Sequence, residues 1–112
     1  MMGWFYKEIR WGYFAVRDVE EPLYDVRLTK DGVVITVDLP GVRKEDLVLN
    51  ASEEAIYVEA LSYVGGARVK YKKLIRTPIQ IDPDRIEAKF SNGILYIWAP
   101  PKEITFKRVK VE

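Results

Sequence analysis

The sequence predicts an all-β domain, two antiparallel sheets packed face to face and built from seven or eight short strands. Three observations lead there. Apolar and polar residues alternate with period two over most of residues 22–101, tight-turn dipeptides separate the alternating runs, and no segment shows the longer period that a crossover helix requires. Tyr24, Val26 and Leu28 alternate with Asp25, Arg27 and Thr29, and Lys30-Asp31-Gly32 then supplies hairpin chemistry. Val33, Ile35, Val37 and Leu39 form the returning strand. Leu39-Pro40-Gly41 ends it, because proline cannot donate to a ladder and glycine accepts turn geometry. Lys44-Glu45-Asp46 leads into Leu47, Val48 and Leu49, and Glu53-Glu54 breaks that run. Ile56, Val58 and Ala60 alternate with Tyr57, Glu59 and Leu61, and Gly65-Gly66 introduces a second arm over residues 67–75. Thr77-Pro78 and Asp82-Pro83-Asp84 punctuate a connection holding Ile79 and Ile81. Ile86, Ala88 and Phe90 alternate up to Asn92-Gly93, the strongest short-range hairpin signal in the chain, and residues 94–99 return.

Composition narrows the chemistry. The 112 residues carry 18 Lys+Arg against 17 Asp+Glu, with 48% apolar residues, no cysteine and no histidine. A chain of this size is one domain and holds a core without disulfide or metal staples. The absent residues remove thiol nucleophiles, disulfide frameworks, Cys-type metal centres and the commonest general base, so an enzyme is not expected. No carboxylate pair is expected to share a pocket, the acidic turns lack calcium-loop spacing, and no cofactor is implied. A formal net charge of +1 argues against a dedicated nucleic-acid binder. With no apolar run long enough for a membrane span and no secretory leader, the expected address is the cytoplasm.

Three zones follow. Residues 1–21 form an aromatic arm, in which Trp4, Phe5, Tyr6, Trp11, Tyr13 and Phe14 place six of the chain's 14 aromatic residues within its first 14 positions. Chain ends are ordinarily polar, since ordering them costs entropy, so these rings are expected to be buried on their own domain or on another chain. Residues 22–101 are the sandwich. Residues 102–112 are a tail after Pro100-Pro101, carrying Ile104/Phe106 and Val109/Val111 as pairs spaced i, i+2.

Two segments carry a family resemblance. Asp38-Leu39-Pro40-Gly41-Val42-Arg43-Lys44-Glu45-Asp46-Leu47 resembles the D-L-P-G-x-x-K-E-D-[IL] run of the small heat-shock proteins, and Ala88-Lys89-Phe90-Ser91-Asn92-Gly93-Ile94-Leu95 resembles their closing A-x-[FY]-x-[ND]-G-[VI]-L. The resemblance covers residues 23–102 and implies an immunoglobulin-like sandwich of the alpha-crystallin type. Pro40, Gly41, Ala88, Asn92, Gly93 and Leu95 are its motif positions, and their residue types are those of strand exits and turns. It also implies an ATP-independent holdase that binds unfolding proteins and self-assembles as a homodimer or larger oligomer. Co-chaperones and adaptors with a CS domain share the sandwich, so docking on one defined partner is the alternative.

Departures from the family pattern sharpen this. Residues 61–71, split by Gly65-Gly66, leave little room for the extra strand that many microbial members swap into a partner, which resembles the animal-type arrangement of paired hairpin arms. The run Tyr71-Lys72-Lys73-Leu74-Ile75-Arg76-Thr77-Pro78 is similar to F-x-R-x-[FI]-x-L-P, which makes Tyr71 and Arg76 candidate dimer contacts. On the closing strand Leu95, Ile97 and Ala99 are expected to face the core, leaving Ile94, Tyr96 and Trp98 outside. A strand apolar on both faces needs a cover, so Tyr96 and Trp98 join Trp4, Phe5, Trp11, Tyr13 and Phe14 as candidate client or oligomer contacts. Val109-Lys110-Val111 matches the family's [IV]-x-[IV] tail anchor, which docks in an edge groove of a neighbour, and an edge strand on its own sheet is the other reading. Arg68, Lys70 and Lys72 recur every second residue. Protection of an exposed edge is the expected role of this stripe, ahead of contact with a phosphate backbone.

Overall fold

The computed structural model describes residues 18–64, 66–103 and 106–112. Eight strands occur among them: β1 (Asp18–Glu20), β2 (Tyr24–Thr29), β3 (Gly32–Asp38), β4 (Val42–Ala51), β5 (Ala55–Val64), β6 (Ala67–Arg76), β7 (Glu87–Ser91) and β8 (Ile94–Ala99). They form two four-stranded sheets in the orders β1-β6-β5-β4 and β2-β3-β8-β7. The expected sandwich is therefore observed.

Alternation decides which side chains meet. Val33, Ile35 and Val37 of β3 and Leu95, Ile97 and Ala99 of β8 are buried from one sheet, and Ile56, Val58 and Ala60 of β5 with Ile75 of β6 from the other. Removing such a row from water is the main driving force for closing the two layers. The turns take the predicted positions. Lys30-Asp31 joins β2 to β3, with the Thr29 hydroxyl accepting from Asp31 N–H at 3.2 Å and donating to the Gly32 carbonyl at 2.9 Å. Asn92 and Gly93 adopt φ of 53° and 77° between the paired Ser91 and Ile94, the double left-handed geometry of a type I′ turn. The β5–β6 pairing runs unbroken from Ala55↔Arg76 to Val64↔Ala67, so no further strand stands between those arms.

Two elements add to the expected pattern. β1, within the arm zone of the sequence, runs parallel to β6 with Asp18 opposite Val69 and Glu20 opposite Tyr71. It covers backbone groups of an edge that would otherwise lack ladder partners. β4 begins at Val42 rather than Leu47, with a register shift between those residues: four residues of β4 are set against Leu61 alone. The Arg43 guanidinium donates to the Asp46 carboxylate at 2.9 Å and ties the two sides of this bulge together.

The connection from β6 to β7 is stitched rather than loose. Thr77 N–H donates to the Glu54 carbonyl at 3.0 Å, Ile81 N–H to Glu53 at 2.8 Å and Asp82 N–H to Pro100 at 2.9 Å. Ile81 is consequently fully buried. A single 3₁₀ turn, Pro83–Arg85, follows, with Asp82 capping it by accepting from Asp84 N–H at 3.0 Å.

Candidate functional site

The motif around Pro40-Gly41 is a structural joint between the sheets. Gly41 sits at φ 76°, its carbonyl accepts from Tyr63 N–H at 3.0 Å, and the fully buried Ser62 hydroxyl donates to the Pro40 carbonyl at 2.6 Å. Ser62 had no marker in the sequence. It lies in the inward row of β5 and is polar there because the crossover carbonyl needs a donor. Leu95 is in the core, Asn92 and Gly93 make the turn, and Ala88 is exposed on the edge strand β7. None of these motif residues is a chemical group of a catalytic kind. Among the described residues no group of three acidic, cysteine or histidine side chains is placed to hold a metal ion, and no helix is long and apolar enough to cross a membrane.

What the fold leaves open is apolar. Tyr24 of β2 lies against Lys73 of β6, whose ammonium is 5.5 Å from the ring centre, so those edges share one long side of the sandwich and β4 and β7 share the other. The Lys73 ammonium donates to Glu21 at 3.0 Å, which holds its pKa above the usual lysine value. On the β4/β7 side, Leu47 and Leu49 share the inward face with Ala60 and Val58, and Phe90 shares it with Leu95. All three pack on the core but stay only partly buried. Among the described residues no strand pairs with the outer ladder positions of the two edge strands that flank this apolar seam, the combination that strand addition requires.

The second open region is the outer face of the β2-β3-β8-β7 sheet. Trp98 stands between Val34 and Glu87, Tyr96 between Thr36 and Lys89, and Ile94 between Asp38 and Ser91. Tyr96 is 45% exposed, and Ile94, Trp98 and Val34 are half-buried. Trp98 also floors an open recess of about 610 Å³ with Pro100, Pro101, Arg85 and Lys102 on its walls. The described part of the tail leaves this face uncovered, since Phe106, Val109 and Val111 are 91%, 78% and 90% exposed. Trp4, Phe5, Trp11, Tyr13 and Phe14 lie outside the described residues, as does Ile104.

The paired dimer candidates are separated. Tyr71 points inward opposite Ala60, packs on the core and has β1 alongside it, whereas Arg76, five positions on, projects from the opposite face and is exposed. Arg68 of the basic stripe joins Arg43 and Tyr63, which nothing in the sequence marked, in a basic and aromatic cluster on the outer face of the β1-β6-β5-β4 sheet. The guanidiniums of Arg43 and Arg68 lie 4.6 and 5.5 Å from the centre of the Tyr63 ring. Glu59 is partly buried nearby, which by itself raises its pKa. Its hydrogen bond and attraction to Lys70, with the Tyr57 hydroxyl donating at 3.1 Å, outweigh that and hold it below the usual carboxylate value.

The profile of the Hsp20/alpha crystallin family matches residues 25–112. Heat shock protein 16 of Schizosaccharomyces pombe is 34% identical over 96 residues, covering 73% of this chain and 67% of that one. Small heat shock protein C2 of Rickettsia felis is 28% identical over 98 residues, covering 73% and 61%. The chain thus spans about two thirds of the length of these relatives. The solved structure of heat shock protein 16.0 from S. pombe superimposes with a TM-score of 0.64 at 30% identity, covering 82% of this chain and 98% of that one.

Proposed function

The chain belongs to the Hsp20/alpha crystallin family of small heat-shock proteins, and from that premise we propose that it is an ATP-independent holdase of the cytoplasm, not an enzyme, that self-assembles and binds unfolding proteins. The observation that carries this reading is the apolar seam between β4 and β7, lined by Leu47, Leu49 and Phe90 and open along both edges, in a chain whose tail presents Val109 and Val111 to solvent. Val109 and Val111, spaced i, i+2, seat in that seam on a neighbouring copy and add a short strand to its edge. Tyr96, Trp98 and the arm residues Trp4, Phe5, Trp11, Tyr13 and Phe14 supply the remaining self-association surface. An exposed client core competes for the same apolar surface. Burying it contributes about 25 cal/mol per Å² before the entropic cost of association.

Light scattering coupled to size exclusion tests assembly, and suppression of aggregation of a heat-labile protein tests holding. The expected result is a multi-subunit particle that suppresses aggregation near stoichiometric ratio and needs no nucleotide. Deleting residues 1–18 is expected to shrink the particle. A monomer without suppressing activity sinks the proposal and leaves docking on one defined partner as the role of the sandwich.

A further inference from the structure

The holdase reading leaves the outer face of the β1-β6-β5-β4 sheet without a role. The β5–β6 register places Arg68, Lys70, Lys72 and Arg76 on that face, opposite Tyr63, Leu61, Glu59 and Ala55. Side chains two residues apart on a strand are about 6.8 Å apart, so these cations form a regular row on one plane. Residues 61–77 contain no acid, and Glu59 is the one carboxylate that the β5–β6 register sets among them. Aliphatic side chains are interleaved with the charges. Leu74, opposite Tyr57, is 49% exposed, and Val48, opposite Glu59, is 51% exposed.

Three uses of such a row make different demands on its neighbours. Protection against edge-to-edge pairing needs charge but gains nothing from exposed Leu and Val in the middle of a sheet face. A single-stranded nucleic acid needs open aromatic platforms for its bases. Here the Tyr63 ring is already covered by two guanidiniums, and the Tyr57 hydroxyl is tied to Glu59. An anionic bilayer surface rewards everything present at once: cations for the headgroups, aliphatic tips for the headgroup–acyl boundary, and tyrosines at the interface between them.

We propose that this sheet face docks flat on an anionic lipid surface, with Arg68, Lys70, Lys72 and Arg76 against the headgroups and Leu74 and Val48 entering the boundary layer. Charge complementarity supplies the selectivity, and the rigid sheet presents the row without a backbone ordering cost. The site is separate from the β4/β7 seam and from Tyr96 and Trp98, so docking leaves the holding surfaces free.

Vesicle flotation of the full chain tests this, using phosphatidylserine-rich vesicles against pure phosphatidylcholine ones at low and high salt. The expected result is partition onto the anionic vesicles alone, reversed by salt. At roughly fivefold per basic side chain, Lys72→Ala with Arg76→Ala cuts that partition roughly 25-fold. Leu74→Ser cuts it a few-fold at unchanged charge. The charge-keeping pair Lys72→Arg and Arg76→Lys retains it, which separates lost charge from lost fold, and aggregation suppression stays at wild-type level throughout. Equal binding to both vesicle types, no binding to the anionic ones, or variants that float like wild type overturns the proposal. So does a face on which Leu74→Ser has no effect while a single-stranded RNA oligonucleotide competes the vesicles away, since that is a polyanion site and not a lipid one.

Discussion

Gly41 and Gly66 share one backbone angle, φ 76°, in different surroundings, and that pairing allows a strain term to be separated from a packing term. An alanine at either position meets the left-handed penalty of about 1 kcal/mol. At Gly66 a Cβ meets nothing within 4 Å, so the penalty is the whole cost. At Gly41 it lies 2.3 Å from Val64 Cγ2, 2.7 Å from Ser62 Oγ and 3.2 Å from the Tyr63 carbonyl oxygen. Val64 is exposed at a strand end and swings aside. Ser62 is fully buried, and moving its hydroxyl breaks the 2.6 Å bond to the Pro40 carbonyl. An unmade bond to a buried polar group costs about 1–3 kcal/mol, which brings Gly41→Ala to about 2–4 kcal/mol. For a domain with about 5–15 kcal/mol of total stability this is a large fraction. Thermal unfolding followed by circular dichroism, at one protomer concentration because assembly shifts the midpoint, checks it. At roughly 4–8 °C per kcal/mol, Gly41→Ala is expected to melt about 4–24 °C below Gly66→Ala. Equal losses for the two variants refute the packing argument, and Gly41→Ala within about 0.5 kcal/mol of wild type refutes both parts of it.

Other expectations are independent of that joint. The Glu59 carboxyl has a folded pKa below its ordinary 4.5, so its ion pair adds stability above that value and the contribution is lost as pH falls through the folded pKa. Glu59→Gln is therefore expected to flatten the acid limb of melting temperature against pH below about 4.5, by up to about 1 kcal/mol, and an unchanged limb counts against the pair. Val109→Asp with Val111→Asp, both at exposed positions, is expected to keep the strand content in circular dichroism and to reduce particle mass in light scattering. A particle of unaltered mass removes the tail from the assembly. Tyr96→Ser with Trp98→Ser is expected to weaken suppression of client aggregation several-fold while strand content in circular dichroism persists, and full activity in that variant clears this face of a role.

The sandwich was legible because its signals are local. Period two follows from the pleat, and Lys30-Asp31-Gly32 and Asn92-Gly93 state their turns within a few residues, so the core rows Val33/Ile35/Val37, Ile56/Val58/Ala60 and Leu95/Ile97/Ala99 could be read directly. β1 was not legible. Asp18-Val19-Glu20 has no apolar row of its own, and its strand conformation depends on the free ladder groups of β6 beside Val69 and Tyr71, a partner far away in sequence. The bulge in β4 was hidden for a related reason. Arg43 to Asp46 break the alternation, and only the pairing with β5 shows that the strand continues through them with Arg43 closing on Asp46.

The candidate surfaces follow from where alternation is violated. A strand with one solvated face alternates, so Ile94, Tyr96 and Trp98 outside β8, and Leu74 and Val48 among the cations outside the other sheet, are excesses that the core does not require. The recognisable motifs, in contrast, sit where the chain turns: Pro40 and Gly41 at the crossover, Asn92 and Gly93 in the last hairpin. Those positions are constrained by backbone geometry that any member of the fold must satisfy, so they report membership and carry no information about partners. The partner is written in the surplus apolar residues. A substitution at a motif glycine is therefore expected to lower stability and function together, whereas substitutions at Tyr96, Val109 or Leu74 separate client holding, assembly and lipid docking in a chain that keeps its stability.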